Sequence, residues 1–227
     1  MEKRILSWDG CNNVRDLGEL KTCDGLRTRP GAFIRSDTPT RLTEKGWAAL
    51  HSYGVRTILS LCTHGMEMEE KELDITPPYP DITAVKVAIE DITDTAFVQK
   101  WVDSSLWGTP LYFKDALERW PERHAKAITT MAQAQPGGVL FHCIRGHDRT
   151  GIIALLLLSI AGVMPEEIIA DYELSKDPIR DKLLLREGVS VREAMLSVLG
   201  WLEVDRYLLA GGASRDDLAE IRRRLAG

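Results

Sequence analysis

The stretch from Gly138 to Val163 constrains the fold more than any other part of the chain. A short apolar run, Gly138-Val139-Leu140-Phe141-His142, opens after the Pro136-Gly137-Gly138 turn. Nine residues of mixed polarity, Cys143 to Gly151, separate it from Ile152–Val163, a run broken only by Ser159 and Gly162. A bilayer span needs about 20 apolar residues, so this second run reads as a helix that is apolar all round and buried in a core. The first run reads as the strand that feeds it.

The rest of the chain repeats the pattern. Ala32–Arg35 reads as a short strand, and Thr43–Tyr53 as a helix capped by Thr43 and stopped by Gly54. Val55–Leu61 and Thr83–Ile89 are further β-rich runs. Strands alternating with helices imply an α/β fold with a mostly parallel central sheet flanked by helices on both faces. Two segments lie outside the alternation. Residues 93–120 carry Phe97, Trp101, Trp107, Tyr112, Phe113 and Trp120, are broken at Gly108-Thr109-Pro110, and are expected to form a helical lid insertion. From Pro165 onward the pattern is helical, with stops and caps at Gly188-Val189-Ser190, Gly200 and Gly211-Gly212-Ala213-Ser214, which implies a C-terminal helical layer. No repeat or linker divides residues 1–227, so a single domain is expected.

Charge and cysteine usage narrow the function. A net charge of −5 argues against a broad basic surface for nucleic acid, though not against a small basic pocket. Basic residues near Met1 have no apolar stretch behind them, so no export leader or integral membrane segment is expected. Cys11, Cys23, Cys62 and Cys143 form no C-x-x-C pair and have no metal-ligand spacing to histidine. Free thiols in a cytoplasmic protein without a metal or cofactor are the expectation.

The chemistry concentrates in His142-Cys143-Ile144-Arg145-Gly146-His147-Asp148-Arg149-Thr150-Gly151. A loop between strand and helix can turn successive backbone N–H groups of Ile144, Arg145, Gly146, His147, Asp148 and Arg149 inward as an anion nest. The helix behind it adds unsatisfied N–H groups and the positive end of its dipole. Arg149 supplies a planar fork for two phosphate oxygens. A thiol in such a field ionises readily, and the thiolate is the nucleophile. His142 can brace the loop backbone, Thr150 can donate to the Cys143 sulfur, and Arg145 and His147 can add positive charge at the mouth. These residues fit attack on a phosphomonoester through a phosphocysteine intermediate.

The loop resembles the signature of protein tyrosine phosphatases. Its Asp148-Arg149-Thr150-Gly151 ending is similar to the atypical bacterial tyrosine and lipid phosphatases. Asn13-Val14-Arg15-Asp16-Leu17-Gly18, Gly25-Leu26-Arg27-Thr28-Arg29-Pro30-Gly31, Ile34-Arg35-Ser36 and the Leu42–Leu59 region are similar to that family's opening, and Tyr207–Leu225 to its end. Three features depart from the pattern: His147 stands where members often have lysine, Ser60-Leu61-Cys62 where the family tends to have Asp-Leu-Arg, and residues 93–120 have no close match. The resemblance implies phosphotyrosine or dual-specificity protein substrates first, with phosphoinositides and small phosphorylated metabolites as alternatives.

An acid must protonate the leaving oxygen. Asp91, after the third strand, and Asp148, inside the loop, are the candidates, ahead of Asp94 and Glu90. Asp148 could equally hold the loop through backbone bonds. Arg35 and Asp37 are placed to brace the loop, and Cys62 would form a protective disulfide if it lay beside Cys143, although an ordinary buried thiol is the plainer expectation. Two other classes stay open. A silent phosphate-binding protein would keep the loop without turnover. A cysteine acyl hydrolase would need an oriented histidine base, and would leave the Cys143–Arg149 spacing without a role.

Overall fold

The computed structural model describes residues 4–226, so Met1-Glu2-Lys3 of the N-terminal stretch read for a leader, and Gly227, lie outside it. Five strands form one sheet: β1 (Arg15–Asp16), β2 (Phe33–Ser36), β3 (Val55–His64), β4 (Thr83–Asp91) and β5 (Gly138–His142), in spatial order β1-β2-β5-β3-β4. All pairings are parallel except β1 with β2. The antiparallel β1 is only two residues long, and its Arg15-Asp16 carries no apolar signal by which a sequence could betray it.

Eleven helices surround the sheet among the described residues. They are α1 (Glu44–Ser52), α2 (Glu67–Glu72), α3 (Thr95–Phe97, continuing into a π turn at Val98–Val102), α4 (Phe113–Arg119), α5 (Pro121–Ala132), α6 (Asp148–Ile160), α7 (Pro165–Glu173), α8 (Pro178–Arg186), α9 (Val191–Trp201), α10 (Val204–Ala210) and α11 (Arg215–Leu225). The caps follow the sequence. Thr43 Oγ1 accepts from Gly46 N at the start of α1, and Ser190 with Glu193 and Ser214 with Asp217 form capping boxes at α9 and α11. No helix among the described residues is long and apolar enough to cross a membrane.

Strand alternation divides the interior in two. Phe33, Leu59, Leu61, Val139 and Phe141 face a larger core containing α5 and α6, whereas Ile34, Ile58 and Leu140 face a smaller one with Trp8 and Leu50. In α6 every residue from Arg149 to Leu158 is buried, as an all-apolar helix requires. Leu156→Ala, at a fully buried position of that helix, should lower unfolding free energy by about 2–5 kcal/mol, read by denaturant titration.

The chain order determines where the loop lies. After β2 the chain crosses through α1 to β3, leaving one strand position empty; it continues to β4 and returns through α4 and α5 to fill that gap with β5. The central strand is thus laid in last, and its carboxyl end opens between the ends of β2 and β3. Open α/β sheets hold ligands at such a crevice.

The aromatics of residues 93–120 form part of the core. Phe97, Tyr112 and Phe113 are fully buried, and Trp101 and Trp120 nearly so. Phe97 packs at 4.7 Å on Trp120, Tyr112 at 5.2 Å on Phe113, and Phe113 at 5.6 Å on Tyr172 of α7. Opening such a segment would expose several hundred Å² of apolar ring surface. In this structure residues 93–120, expected as a helical lid insertion, place these rings in the core and form a wall beside the loop.

Candidate active site

The segment Cys143–His147 joins β5 directly to α6, whose first residue is Asp148. Its carbonyls are clasped from β2 and the N-terminal segment. Thr38 N donates to the Ile144 carbonyl at 3.1 Å. Asn13 Nδ2 and Arg35 Nη2 each donate to the Gly146 carbonyl at 2.9 Å. Among the described residues all peptide bonds are trans, and a trans peptide points its N–H opposite to its carbonyl. The amides of Arg145 and His147 therefore turn away from these clasps, as an anion nest needs. Gly146 sits at φ +69°, and a Cβ there would collide with the Ser36 backbone; only glycine meets both conditions. Gly151 has a different reason, because a Cβ would strike the Tyr172 ring.

Arg35, 1% exposed, belongs to a buried charge cluster beneath the loop. Its Nη1 lies 2.8 Å from Asp171 Oδ2 on α7, and Arg4 and Arg15 hold Oδ1 of the same carboxylate at 2.9 and 3.2 Å. Burial works against the Asp171 charge, but Arg15, Arg35 and Arg4 outweigh it and hold the carboxyl far below its ordinary value. Asp37 braces the N-terminal segment instead, accepting from Asn12 N at 2.8 Å and from the Cys11 thiol at 3.0 Å.

Cys143 is buried at the base of the loop. Beside it, fully buried His142 meets Ser60 Oγ through Nε2 at 2.9 Å and the Cys143 carbonyl through Nδ1 at 3.3 Å. Burial lowers its pKa to about 4, so it braces the loop as a neutral ring. Thr150 Oγ1 is buried without a hydrogen-bond partner, so the expected bond to the Cys143 sulfur is not formed. Cys62 is a buried free thiol, pushed up by burial and by Glu70; a thiol so disposed is a poor partner for disulfide exchange.

Arg149 is gripped from β3 and α2. Nη1 donates to the Leu61 carbonyl at 3.0 Å, Nη1 and Nη2 both meet the Glu69 carboxylate, with Nη2 to Oε2 at 2.8 Å, and Nε stands 3.9 Å from Glu90 Oε2. Burial opposes the arginine's charge, but Cys143, Glu90 and Glu69 hold it firmly protonated. Glu90 is itself fully buried, accepts from Tyr112 Oη at 2.7 Å and Trp107 Nε1 at 3.2 Å, and has its pKa raised by burial.

The two candidate acids have opposite surroundings. Asp91 accepts from Thr93 N at 2.9 Å, Thr93 Oγ1 at 2.6 Å and Arg123 Nη2 at 2.7 Å. Partial burial opposes its charge, but these donors outweigh it and hold the carboxyl below its usual value, so Asp91 is tied to α5 as an ionised group. These contacts commit the carboxyl that the sequence put forward as the acid. Asp148 accepts from Tyr172 Oη at 3.2 Å and from Arg145 Nη2 at 3.4 Å, and its pKa is raised by burial to about 6, against the pull of Arg145, Arg180, Tyr172 and Arg149. Asp94 caps α3 and is paired with Arg119.

At the mouth, Arg145 is half-exposed and bound at 2.7 Å by Asp177, the N-cap of α8. His147 lies 3.5 Å from the same carboxylate, and burial followed by Arg145 lowers its pKa to about 4. It adds no positive charge at pH 7, contrary to expectation. The wall reaches the loop at Gly108, where a Cβ would stand 3.2 Å from Arg145 Nη2 and 3.7 Å from Asp148 Oδ2.

Sequence reasoning passed over Glu69, Asp171, Tyr172 and Asp177. Asp177-Pro178 carried a helix-start signal but nothing about the loop it touches. Glu69 lay in Glu67-Met68-Glu69-Glu70-Lys71-Glu72, a run that reads as solvated.

Comparison with known proteins sets the chain among tyrosine phosphatases. The family model for the tyrosine phosphatase family matches residues 6–227. A protein of Cupriavidus necator, provisionally named a tyrosine-protein phosphatase, is 27% identical over 96% of this chain and 86% of its own length. A tyrosine-protein phosphatase of Nostoc commune is 33% identical over 67% of this chain and 51% of its own. The triple specificity protein phosphatase PtpB of Mycobacterium tuberculosis is 26% identical over 75% of this chain and 68% of its own.

Proposed function

The chain belongs to the tyrosine phosphatase family, and from that premise we propose that it hydrolyses phosphomonoesters through a phosphocysteine on Cys143. In the first step the Cys143 thiolate attacks phosphorus, the ester P–O bond breaks, and the leaving oxygen takes the proton of Asp148. In the second step water attacks the phosphocysteine, Asp148 takes the water's proton, and the S–P bond breaks to restore the thiolate. The hydroxyl of Thr150, which lacks a partner, is free to donate to that departing sulfur. Loop amides and Arg149 hold the phosphoryl oxygens throughout and neutralise the charge that develops on them.

The observation that carries the reading is the clasp on the loop carbonyls by Thr38, Asn13 and Arg35. It fixes the peptide planes in an anion-binding arrangement at the end of the central strand. An acyl hydrolase would need a histidine that takes protons from the thiol. His142 points instead at Ser60 and a backbone carbonyl, and burial keeps its basicity low.

Phosphotyrosine or dual-specificity protein substrates come first, as the Nostoc commune and Mycobacterium tuberculosis relatives' names suggest. A phosphate-release screen over phosphotyrosine and phosphoserine peptides, phosphoinositides, and sugar and nucleotide phosphates tests this. Phosphopeptides should be turned over fastest. Faster release from a lipid or metabolite would move the substrate class, and vanadate binding without turnover of any substrate would mark a silent phosphate-binding protein.

A further inference from the structure

We infer that Arg145 is a specificity-determining residue: an acidic side chain flanking the phosphorylated residue of a protein substrate draws its guanidinium off Asp148, so that the acid keeps its proton to higher pH on acidic substrates than on neutral ones. The inference rests on the phosphatase reading and on Asp148 as its acid.

One guanidinium serves two carboxylates at the mouth. Arg145 Nη1 donates to Asp177 Oδ2 at 2.7 Å, and Nη2 reaches Asp148 Oδ2 at 3.4 Å. A charge-assisted bond of this kind is ordinarily about 2.7–2.9 Å long, so the Asp177 contact is close and the Asp148 contact loose. Asp177 is not free to follow the arginine, because its other oxygen caps α8 by accepting from Ile179 N at 3.0 Å and Arg180 N at 3.2 Å. Nη1 is thus a pivot about which the Nη2 side can swing. The wall leaves room for it at Gly108, where a Cβ would stand 3.2 Å from Nη2.

The other charges around Asp148 are fixed. Arg149 faces it from its own helix, Tyr172 from α7, Arg180 from α8, Glu90 from β4 and Tyr112 from the wall. Arg149 is 8% exposed and gripped by Glu69 and the Leu61 carbonyl, and Arg180 is 3% exposed and held by Asp181 and the Ser175 carbonyl. Glu90 is bound by Tyr112 and Trp107. Burial holds both tyrosines in their neutral form, and His147, which shares Asp177, is neutral as well. Of the three arginines Arg145 alone stands half in solvent, with its side chain 51% exposed. Burial raises the Asp148 pKa, and Arg145 is the strongest of the groups that pull it down. An incoming carboxylate that takes the Nη2 side of the fork removes that pull.

The test compares wild type, Arg145→Gln, Arg145→Lys and Asp148→Asn on two phosphoserine peptides that differ only in carrying Glu or Gln on both sides of the phosphoserine. If wild type acts on phosphotyrosine alone, the same pair is built on phosphotyrosine. KM and the pH dependence of kcat are read from about pH 5 to 9. In wild type the Glu peptide should have the lower KM, by about 2–5-fold. Its alkaline limb should lie higher by up to about one pH unit, the low end for a neighbouring charge because Arg145 is half exposed. In Arg145→Gln the two KM values should converge and both limbs should take the higher position. Arg145→Lys, which keeps the charge, should retain part of each difference. Coincident limbs in wild type overturn the inference, and so does a Glu–Gln difference that survives in Arg145→Gln. If the glutamine variant does not fold, wild type at low and high salt carries the same comparison, since exposed pairs are screened. The KM and limb differences should then shrink together, and a limb difference that ignores salt overturns the inference. An alkaline limb that persists in Asp148→Asn means that the acid was misassigned, and no phosphate release by wild type from any substrate means that the phosphatase reading has failed; the inference falls with either.

Discussion

Cys143→Ser is expected to abolish phosphate release, a loss on the order of 10⁴–10⁶-fold as for nucleophiles of other covalent catalysts, while vanadate still binds. The two halves of that result come from different parts of the loop. On the proposed mechanism, oxyanion binding falls to the amides beside the clasps of Thr38, Asn13 and Arg35, to the start of α6 and to Arg149, none of which hydrogen-bonds the sulfur in this structure. On the same proposal, turnover falls to the Cys143 sulfur. A serine hydroxyl is a far weaker acid than a thiol, and His142 is not placed to accept its proton. His142 is neutral and engaged with Ser60 and the Cys143 carbonyl. Steady-state release from p-nitrophenyl phosphate, with vanadate affinity measured on the same preparation by calorimetry, checks both halves. Near wild-type turnover in the serine variant would rule out a phosphocysteine. Loss of vanadate binding would mean instead that the sulfur holds the loop in shape.

The sequence made the central strand and its helix legible because their chemistry is local. Gly138–His142 could be bounded from the Pro136-Gly137-Gly138 turn and the apolar run, and Ile152–Val163 could be assigned to a core from its lack of any polar face. The loop motif was legible for a similar reason, since nucleophile, fork and glycines lie within ten residues. What remained hidden depends on contacts across the fold. Asp91 stood at a strand end, and nothing local showed that Arg123, 32 positions away, pairs with it at 2.7 Å. Glu69 carried no signal, because nothing in an acidic run reveals which residue faces Arg149, 80 positions on. The aromatics of residues 93–120 suggested a cover, yet the large rings needed burial and took it in the main core, with Trp107 and Tyr112 reaching Glu90 and Gly108 standing near Arg145 and Asp148. His147 kept its place at the mouth but lost its expected charge to burial and to Arg145.

Removal of the acid is the second large effect expected, and its signature is selectivity. An aryl phosphate leaves as a phenoxide that is stable without a proton, whereas an alkyl phosphate leaves as an alkoxide that is not. Asp148→Asn should therefore lower kcat on an alkyl substrate such as a phosphoserine peptide by about 10²–10⁴-fold, and on p-nitrophenyl phosphate much less. The sign of the pH effect follows from the raised pKa of about 6. The group is a proton donor below that value and loses its proton as pH rises through it, so wild-type activity on the alkyl substrate should fall on the alkaline side and the asparagine variant should lack that limb. The same shift has a consequence for stability. The folded protein disfavours the ionised carboxyl relative to the unfolded chain, so Asp148 opposes folding increasingly as pH rises from the ordinary carboxylate range through about 6. An amide at this position carries no such charge, and Asp148→Asn should be the more stable protein at pH 8 although it is the less active one. Asp91→Asn should show neither effect, because its carboxyl is already ionised and committed to Thr93 and Arg123; its expected cost is a modest loss of stability from the broken pair. Rate profiles from pH 4.5 to about 9 on both substrate types, with thermal melts at the two ends, separate the two aspartates. A selective loss on alkyl substrates in Asp91→Asn, with Asp148→Asn unaffected, would return the acid to the end of β4 and require the Arg123 pair to open during turnover.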